Sequence, residues 1–396
     1  MDQVAVSGGL ADLEGAIGTF IRWATTSNIA ILAGDPSIND FVYGNPHDLP
    51  MPEYVDALRR GIEPKDPSHF AYKLNEPQAA GAVTDSLRDR FGIPFEIEDV
   101  FMTNGNFSGL SVAMRAILDP GDEVMFVSPP WFFYEVLILS AGARPVRVLA
   151  DRATWDLDLD AITAAITPRT LAIIVNSPNN PTGKIYPLET LERLAEILSE
   201  ASERNGRPIY VLSDEAYNRI VFDDRAFFTP LAHYPTSFMI YTYGKTHLAP
   251  GLRLGYIAIP PAMPDRDRVR GAVLLSQVLT GWAFPVAPLQ HALAELERVT
   301  VDVKQLQRRR DRIASALGDQ GYELTVPEGT FYILVRSPLA DDMAFVELLN
   351  RHNNYVLPGA MFEMPGFFRI SVTASDEMVE RGIPGFAAAI DEARRE

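Results

Sequence analysis

The sequence contains no cysteine, which excludes disulfides, cysteine-ligated zinc sites and a cysteine nucleophile. Basic residues are also scarce: 35 Lys and Arg face 52 Asp and Glu, so the formal net charge is −17. So acidic a chain offers no broad basic surface, and we expect no nucleic-acid partner. The six histidines show no HxxxH or similar paired spacing, so no metal site is predicted.

Long apolar runs are absent as well. No stretch approaches the ~20 apolar residues that a transmembrane helix needs, and we expect no membrane partner. The first twenty residues lack the basic and apolar segments of a signal peptide, so we expect a cytoplasmic location. Because 47% of the 396 residues are apolar, the chain can bury a sizeable core in two or more domains.

Short apolar runs recur along the chain, and each ends at a polar or Gly/Pro break. They are residues 123–127 (EVMFV), 171–175 (LAIIV), 209–212 (IYVL), 238–242 (FMIYT) and 255–259 (GYIAI). Amphipathic helical patterns lie between several of them, as at residues 187–202. The alternation predicts an α/β fold with a mostly parallel sheet that helices cover on both faces.

The pattern changes in the last third of the chain. One long helix is predicted from about residue 286 to residue 317, with the charged run 305–312 (QLQRRRDR) as a solvated face. Short strands and turns follow, which indicates a smaller α+β domain. We expect residues 46–295 to form the large α/β domain, and residues 1–45 with 296–396 to form the small one.

Polar residues follow directly after the predicted strands, where ligands bind in parallel sheets. These residues supply an aromatic ring, an amide, a carboxylate, a phenol, an amine and a guanidinium: Trp131, Asn180, Asp214, Tyr217, Lys245 and Arg253. An aldehyde cofactor needs such an amine to form an imine. A pyridine ring that accepts electrons needs a carboxylate at its nitrogen and an aromatic face. A phosphate is bound by arginine, hydroxyls and the N–H groups at a helix start.

Four motifs occur in a characteristic order: SPNNPTG, SDEAY, the spacing K-x7-R-x-G that begins at Lys245, and FFRIS. With them the chain resembles the class I/II aminotransferases, which are fold-type I pyridoxal-phosphate enzymes, over nearly its whole length. The resemblance implies a seven-stranded, mostly parallel sheet with a smaller α+β domain and pyridoxal 5′-phosphate as cofactor. It also implies amino-acid and 2-oxo-acid substrates, and a homodimer with active sites at the interface.

The resemblance also implies roles for single residues. Lys245 would be the Schiff-base lysine and the base that moves the substrate proton, and Asp214 would pair with the ring nitrogen. Asn180 and Tyr217 would bind the 3-oxygen of the cofactor, and Trp131 would stack on its ring. Asp214, Tyr217 and Lys245 are thus the expected catalytic residues.

Two further sets of residues would bind anionic groups. Thr242 and Arg253 would bind the cofactor phosphate, together with the backbone of Asn106 and Phe107 in TNGNFSGL. Arg369 in FFRIS would bind the α-carboxylate of the substrate. The backbone of Gly44, with Asn180 and Trp131, would complete the substrate site.

The chain departs from the family pattern at two positions. Many relatives have a tyrosine that reaches the phosphate in the neighbouring subunit; here Glu76 stands at that place, and Tyr72, four residues earlier, is the alternative. The family often has serine before the lysine, where this chain has Gly244, so one hydroxyl is missing from the expected phosphate site.

The predicted function is transfer of an α-amino group to a 2-oxo acid by a ping-pong mechanism through Lys245. Aromatic residues near the expected mouth suggest an apolar or aromatic side chain: Phe41, Tyr43, Trp131, Phe132, Phe133, Tyr134, Trp282 and Phe284. One alternative is a lyase, synthase or oxidase with the same cofactor chemistry. Another is the sensor domain of a transcription regulator, although no helix-turn-helix pattern precedes Tyr43.

Overall fold

The computed structural model describes residues 8–32, 34–281 and 284–395. Its strands are β1 (Asn39–Asp40), β2 (Val100–Thr103), β3 (Glu123–Ser128), β4 (Arg144–Leu149), β5 (Thr170–Asn176), β6 (Tyr210–Asp214), β7 (Ser237–Thr242), β8 (Gly255–Ala258), β9 (Leu324–Thr325), β10 (Tyr332–Arg336), β11 (Asn354–Tyr355), β12 (Leu357–Pro358) and β13 (Phe367–Ser371).

The α-helices alternate with these strands over much of the chain. They are α1 (Gly8–Thr26), α2 (Asn28–Ile31), α3 (Pro52–Ile62), α4 (Pro77–Phe91), α5 (Asn106–Ile117), α6 (Tyr134–Ser140), α7 (Leu159–Ala165), α8 (Leu188–Asn205), α9 (Tyr243–Thr246), α10 (Arg266–Leu279), α11 (Ala287–Leu296), α12 (Val303–Gln320), α13 (Asp342–Arg351) and α14 (Asp376–Ala393). No helix within the described ranges is long and apolar enough to cross a membrane.

The largest sheet has seven strands in the order β2-β8-β7-β6-β5-β3-β4. Strand β8 runs antiparallel to β2 and β7, and the other neighbours are parallel. Every residue of β2, β3, β5, β7 and β8 is buried, as the continuous apolar runs predict for strands covered on both faces. The predicted α/β fold with a mostly parallel sheet is confirmed.

Alternate residues of the strands pack into different cores because successive side chains point to opposite faces of a sheet. Phe126 and Ile174 belong to the core under α5, α6 and α10. Met125 and Ile173 belong to the core under α7 and α8, on the other face. The helices therefore leave open the carboxyl ends of the strands.

A second sheet, of four antiparallel strands, has the order β12-β13-β10-β9 and packs against α12, α13 and α14. Near it β1 pairs in parallel with β11, which joins the beginning of the chain to its last part. The division of the chain at residues 45/46 and 295/296 stays a prediction.

The single helix predicted for residues 286–317 is wrong, since α11 ends at Leu296 and α12 begins at Val303. The β-branched residues of Val299-Thr300-Val301 disfavour helix, and the N–H of Val301 donates to the carbonyl of Thr246 at 2.8 Å. The side chain of Asp302 then accepts from the N–H of Gln305 and caps the new helix.

The charged run on α12 is only partly solvated, which corrects a second prediction. Arg309 is 3% exposed and forms ion pairs with Asp48 and Asp376 at 2.8 and 2.6 Å. Arg310 is also buried and pairs with Asp223 at 2.7 Å. These guanidinium groups are buried because each one has carboxylate partners, a pairing that helical periodicity alone does not reveal.

Candidate active site

A cavity of about 410 Å³ lies where β5, β6 and β7 end, beside β13. Most of the predicted site residues line it: Gly44, Asn106, Trp131, Asn180, Asp214, Tyr217, Thr242, Lys245 and Arg369. The predicted residues Phe107 and Arg253 do not. A larger groove of about 680 Å³ between α5, α6 and α10 contains none of the predicted residues in its lining.

Lys245 lies in α9, which begins directly after β7. The hydroxyl of Thr242 accepts from the N–H of Gly244 at 3.2 Å and so caps this helix. Lys245 Nζ then lies 5.4 Å from the ring centre of Phe331 and 5.7 Å from that of Tyr217. A Cβ at Gly244 would lie 3.1 Å from Cα of Pro250, so a side chain at this position would be crowded.

Asp214 ends β6 and is buried. The hydroxyl of Tyr134 donates to Oδ2 at 2.6 Å, while Nδ2 of Asn106 and the N–H of Ala216 donate to Oδ1 at 2.7 and 3.3 Å. Burial raises the pKa of the Asp214 carboxyl above its usual value, and the hydrogen bonds from Tyr134, Ala216 and Asn106 oppose that rise. A cation placed against this carboxyl would offset the cost of burying its charge.

Sequence analysis did not predict Tyr134 or the side chain of Asn106 as partners of Asp214. It placed Tyr134 at the mouth of the site and expected only the backbone of Asn106 to bind, at the phosphate. The Oδ1 atom of Asn106 is buried and has no hydrogen-bond partner in the structure. The sequence indicates that a helix begins here, but the direction of its first side chain depends on how α5 meets β6. The TNGN sequence before an apolar helix is therefore not enough to predict the contact between the Asn106 side chain and Asp214.

Asn176 joins the ends of two neighbouring strands. Its Nδ2 donates to the carbonyl of Asp214 at 2.9 Å, and its Oδ1 accepts from the N–H of Asn180 at 2.8 Å. Asn180 in turn accepts through Oδ1 from Nη1 of Arg369 at 2.9 Å. A chain of amide hydrogen bonds thus connects the large sheet to the four-stranded sheet.

Arg369 is a buried cation on β13. Its Nη2 donates to the carbonyl of Val42 at 3.0 Å, and its Nε has no partner. Burial lowers the pKa of its guanidinium below the usual value. None of the ion pairs formed by the described residues joins Arg369 to a carboxylate, so an anion in the cavity would compensate this charge.

Tyr332 also lines the cavity, and sequence analysis missed it. Leu334 is directly opposite Arg369 across β10 and β13, so Tyr332 is a diagonal neighbour of Arg369 on the same face of the sheet. The guanidinium of Arg369 lies 3.8 Å from the centre of the Tyr332 ring. The contact between Tyr332 and Arg369 depends on the register in which β10 pairs with β13. The sequence of the two segments, EGTFYILV and FFRIS, does not specify that register.

Arg253 lies outside the cavity lining but beside the loop that precedes α5. It donates to the carbonyl of Pro250 at 2.7 Å, and its Nη2 is 2.9 Å from where a Cβ on Gly105 would be. The first N–H groups of a helix have no partner within the helix. The start of α5 and Arg253 therefore combine free donors with positive charge, as an anionic phosphate requires.

Three of the aromatic residues predicted at the mouth line the cavity: Tyr43, Trp131 and Phe132. Phe20 of α1 packs behind Phe132 with ring centres 4.1 Å apart, and Trp23 lies 6.4 Å from Tyr43. The other aromatics predicted at the mouth lie elsewhere. Phe41 is in the core, and Phe133 packs against Trp131. Tyr134 is buried at Asp214, Phe284 is not in the lining, and Trp282 lies outside the described residues.

This donor set fits pyridoxal 5′-phosphate. Lys245 offers an amine at the cavity, the buried carboxyl of Asp214 has room for a cationic ring nitrogen, and Arg253 lies beside a helix start. Fold and site together define a pyridoxal-phosphate-dependent enzyme of fold type I. Residues 37–385 match the family described as aminotransferase class I and II, and the chain belongs to that family.

Similarity to known proteins extends over most of the chain. A probable aspartate/prephenate aminotransferase of Thermus aquaticus is 30% identical over 368 residues, which are 91% of each chain. An amino transferase structure from Eubacterium rectale has a TM-score of 0.88 and 26% identity, covering 98% of this chain and 99% of that one. A Thermus thermophilus aspartate aminotransferase tetra mutant complexed with tryptophan has a TM-score of 0.81 and 26% identity, covering 98% and 100%. The enzyme is a pyridoxal-phosphate-dependent aminotransferase with amino-acid and 2-oxo-acid substrates.

Proposed function

We propose that the enzyme transaminates amino acids with apolar or aromatic side chains by a ping-pong mechanism through Lys245. The observation that supports this substrate class is the aromatic mouth formed by Tyr43, Trp131 and Phe132. In the part of the chain that the structure describes, the only cations lining the cavity are Lys245 and Arg369. Lys245 acts on the Cα proton and Arg369 binds the α-carboxylate, so neither cation is available to pair with an acidic side chain of the substrate.

Lys245 is the group that moves the proton. When bound, the cofactor supplies an aldehyde carbon for an amine and a pyridine ring that accepts electrons. Nζ of Lys245, which lines the cavity, would be the base that takes the proton from the substrate Cα and the acid that gives it back. The ring centres of Phe331 and Tyr217 lie 5.4 and 5.7 Å from Nζ.

Asp214 maintains the positive charge of the ring nitrogen. Tyr134 and Asn106 donate to its two carboxylate oxygens and so orient them and stabilise their charge. Tyr217 and Asn180 would hold the 3-oxygen of the cofactor, and Trp131 would lie against its ring. Thr242, Arg253 and the backbone N–H groups of Asn106 and Phe107 would hold the phosphate.

Arg369 and Gly44 orient the substrate. The unpartnered Nε of Arg369 is a free donor for the α-carboxylate, and Gly44 lines the same cavity. Asn180 holds Nη1 of Arg369, so the guanidinium plane is fixed before the substrate binds. The tryptophan complex of the Thermus mutant supports the view that this fold can accept a large aromatic side chain.

The active enzyme is a homodimer in this proposal. Tyr72 is fully exposed, and the nearby side chains of Phe70 and Leu74 are 57% and 61% exposed, which is typical of a surface that another subunit covers. Glu76 instead contacts Lys73 at 3.7 Å. We therefore favour Tyr72, rather than Glu76, as the residue that reaches the phosphate site of the partner subunit. The proposal keeps the predicted cytoplasmic location and the two predicted domains.

A panel of amino donors tests this function. The loaded enzyme, mixed with one donor and no acceptor, is expected to release one equivalent of 2-oxo acid per site and to lose its visible band. Phenylalanine, tyrosine, leucine and methionine are expected to have kcat/KM values roughly tenfold or more above aspartate. Release of ammonia, peroxide or an eliminated group would instead indicate a lyase or oxidase, and a preference for aspartate would refute the substrate class. Lys245→Ala is the control, because it is expected to abolish the visible band.

A further inference from the structure

Tyr332 is a buried residue of the cavity to which neither the sequence motifs nor the mechanism above assigns a task. It begins β10, is 3% exposed, and follows two residues after Thr330, which has a φ of +67°. A β-branched residue in the left-handed region is strained, and such strain concentrates at functional sites. The hydroxyl of Thr330 accepts from the N–H of Tyr332 at 3.1 Å and so fixes the start of the strand.

The hydroxyl oxygen of Tyr332 is placed to accept from the hydroxyl of Tyr217, whose ring centre is 6.1 Å from its own, and from the N–H of Gly44. The fit is tight, since a Cβ on Gly44 would lie 2.7 Å from this oxygen. Both donors are assigned other acceptors in the proposed function: the 3-oxygen of the cofactor for Tyr217, and the substrate carboxylate for Gly44. Tyr332 therefore shares its donors with both ligands.

Two cations face the same phenol. Burial alone would raise the pKa of Tyr332, but Lys245 and Arg369, with the hydrogen bonds from Tyr217 and Gly44, hold it below its usual value. The guanidinium of Arg369 covers the face of the ring at 3.8 Å. The titratable and charged groups around Tyr332 and its direct neighbours are Lys245 on α9, Arg369 on β13, Tyr217 and Asp214 at the end of β6, and Tyr43 before α3.

We propose that Tyr332 is a positioning residue for the reaction: its oxygen holds Tyr217 and Gly44 ready for their ligands and stabilises positive charge on the nitrogen of Lys245. An electron-rich oxygen near a nitrogen favours the protonated form of that nitrogen. The same oxygen competes for the proton of Tyr217, which weakens donation to the 3-oxygen of the cofactor. Both effects raise the pKa of the Lys245 nitrogen, and the proposal rests on the role of Lys245 in the proposed function.

Tyr332→Phe separates this role from packing, because the ring remains under Arg369 and only the oxygen is lost. In the full chain loaded with pyridoxal phosphate, the pH midpoint of the visible band reports the pKa of the Lys245 nitrogen. We expect this midpoint to fall by about half a unit or more in the variant, a shift of the size that one lost electrostatic partner produces. A packing role would leave the midpoint unchanged.

The matched control is Tyr322→Phe, which removes another buried hydroxyl, one that donates to the carbonyl of Phe386 at 2.8 Å in the same part of the fold. Its midpoint is expected to equal that of the wild type. Tyr332→Leu also lacks the oxygen and has to shift the midpoint in the same direction as Tyr332→Phe.

An unchanged or raised midpoint in Tyr332→Phe overturns the proposal, and so does loss of the visible band in both variants at position 332, since a positioning role leaves the cofactor's own contacts in place. Failure of the proposed function would appear in the wild type itself, as no 2-oxo acid and no response of the band to amino donors. The two failures are therefore distinguishable.

Discussion

Arg369 and Tyr332 form a stacked pair on adjacent strands of the four-stranded sheet, with the guanidinium carbon 3.8 Å from the ring centre. The ring covers one face of the guanidinium plane, and Asn180 and Val42 accept hydrogen bonds at its edge. Nε has no partner in the structure, and each Nη carries a second N–H. Arg369 is therefore held at two of its five N–H groups, and the others remain for a carboxylate.

Replacing Arg369 with lysine is expected to raise KM for amino donors by roughly a hundredfold, because a planar group with several donors is lost at a buried site and ~3 kcal/mol of binding goes with it. The visible band of the loaded enzyme is expected to remain, since Arg369 is not assigned to the cofactor. Steady-state kinetics with a preferred donor provide the measurement. Arg336→Lys is the control, because Arg336 lies on the exposed end of β10 and pairs with Glu323; a rise in KM there would contradict the assignment.

Replacing Tyr134 with phenylalanine is expected to lower kcat by roughly ten- to a hundredfold. The variant removes the 2.6 Å hydrogen bond to Asp214 Oδ2, and a hydrogen bond to a charged group contributes about 1.5–3 kcal/mol. Single-turnover decay of the visible band measures this step directly. The neighbouring buried carboxyl of Glu215, bound by Ser213, Thr229 and Asn218, supplies the control Glu215→Gln. An equal loss in both variants would show that Tyr134 acts through stability alone.

Replacing Phe132 with arginine is expected to change which side chains the enzyme accepts. A cation at the aromatic mouth would pair with the second carboxylate of aspartate, so the ratio of kcat/KM for aspartate to that for phenylalanine is expected to rise by roughly tenfold or more. Phe132→Leu keeps an apolar side chain and is expected to leave aspartate a poor donor. If the ratio does not respond to the new charge, the side chain of the substrate does not lie at this mouth.

Stability is expected to fall in mild acid because of His247. Its ring is buried, Nε2 lies 3.0 Å from the carbonyl of Leu296, and burial lowers the pKa of His247 to about 4. In the unfolded chain a histidine titrates near ~6.5, so below that pH the unfolded state binds a proton that the folded state does not. Stability is therefore lost as the pH falls from about 6.5 towards about 4, by about 2 kcal/mol between pH 7 and pH 5.

Urea unfolding of the cofactor-free protein at pH 7 and pH 5 measures this loss. His247→Gln keeps a side-chain donor but cannot titrate, and it is expected to reduce the difference between the two pH values. His233→Gln changes a partly exposed histidine and serves as the control. An unchanged pH dependence in His247→Gln would show that other groups cause the loss.

The site residues that could be predicted from the sequence are those that directly follow a predicted strand. Asp214, Asn180 and Lys245 each follow an apolar run, and parallel strands bring such positions to one edge of a sheet without further information. Their family motifs added the expected partners of the cofactor. The roles that each residue plays stay predictions until variants are measured.

The residues that were missed depend on how separate elements meet. Tyr332 and Arg369 are neighbours only in one register of β10 against β13, and Tyr134 reaches Asp214 only because the start of α6 lies beside the end of β6. The break between α11 and α12 depends in part on a hydrogen bond from Val301 to Thr246, which is distant in sequence. Periodicity within one segment contains no information about such contacts.

The amine and the guanidinium that face the substrate belong to different sheets, since Lys245 follows β7 and Arg369 lies on β13. The bond from Val301 to Thr246 ties the segment between α11 and α12 to the helix of Lys245. The spacing between the two groups therefore depends on how the two sheets are held together, and the hydrogen bond from Arg369 Nη1 to Asn180 Oδ1 is one link between them. A substrate whose amino and carboxyl groups are separated by a single carbon matches a fixed spacing, whereas a β-amino acid, with one carbon more, has to displace one sheet from the other.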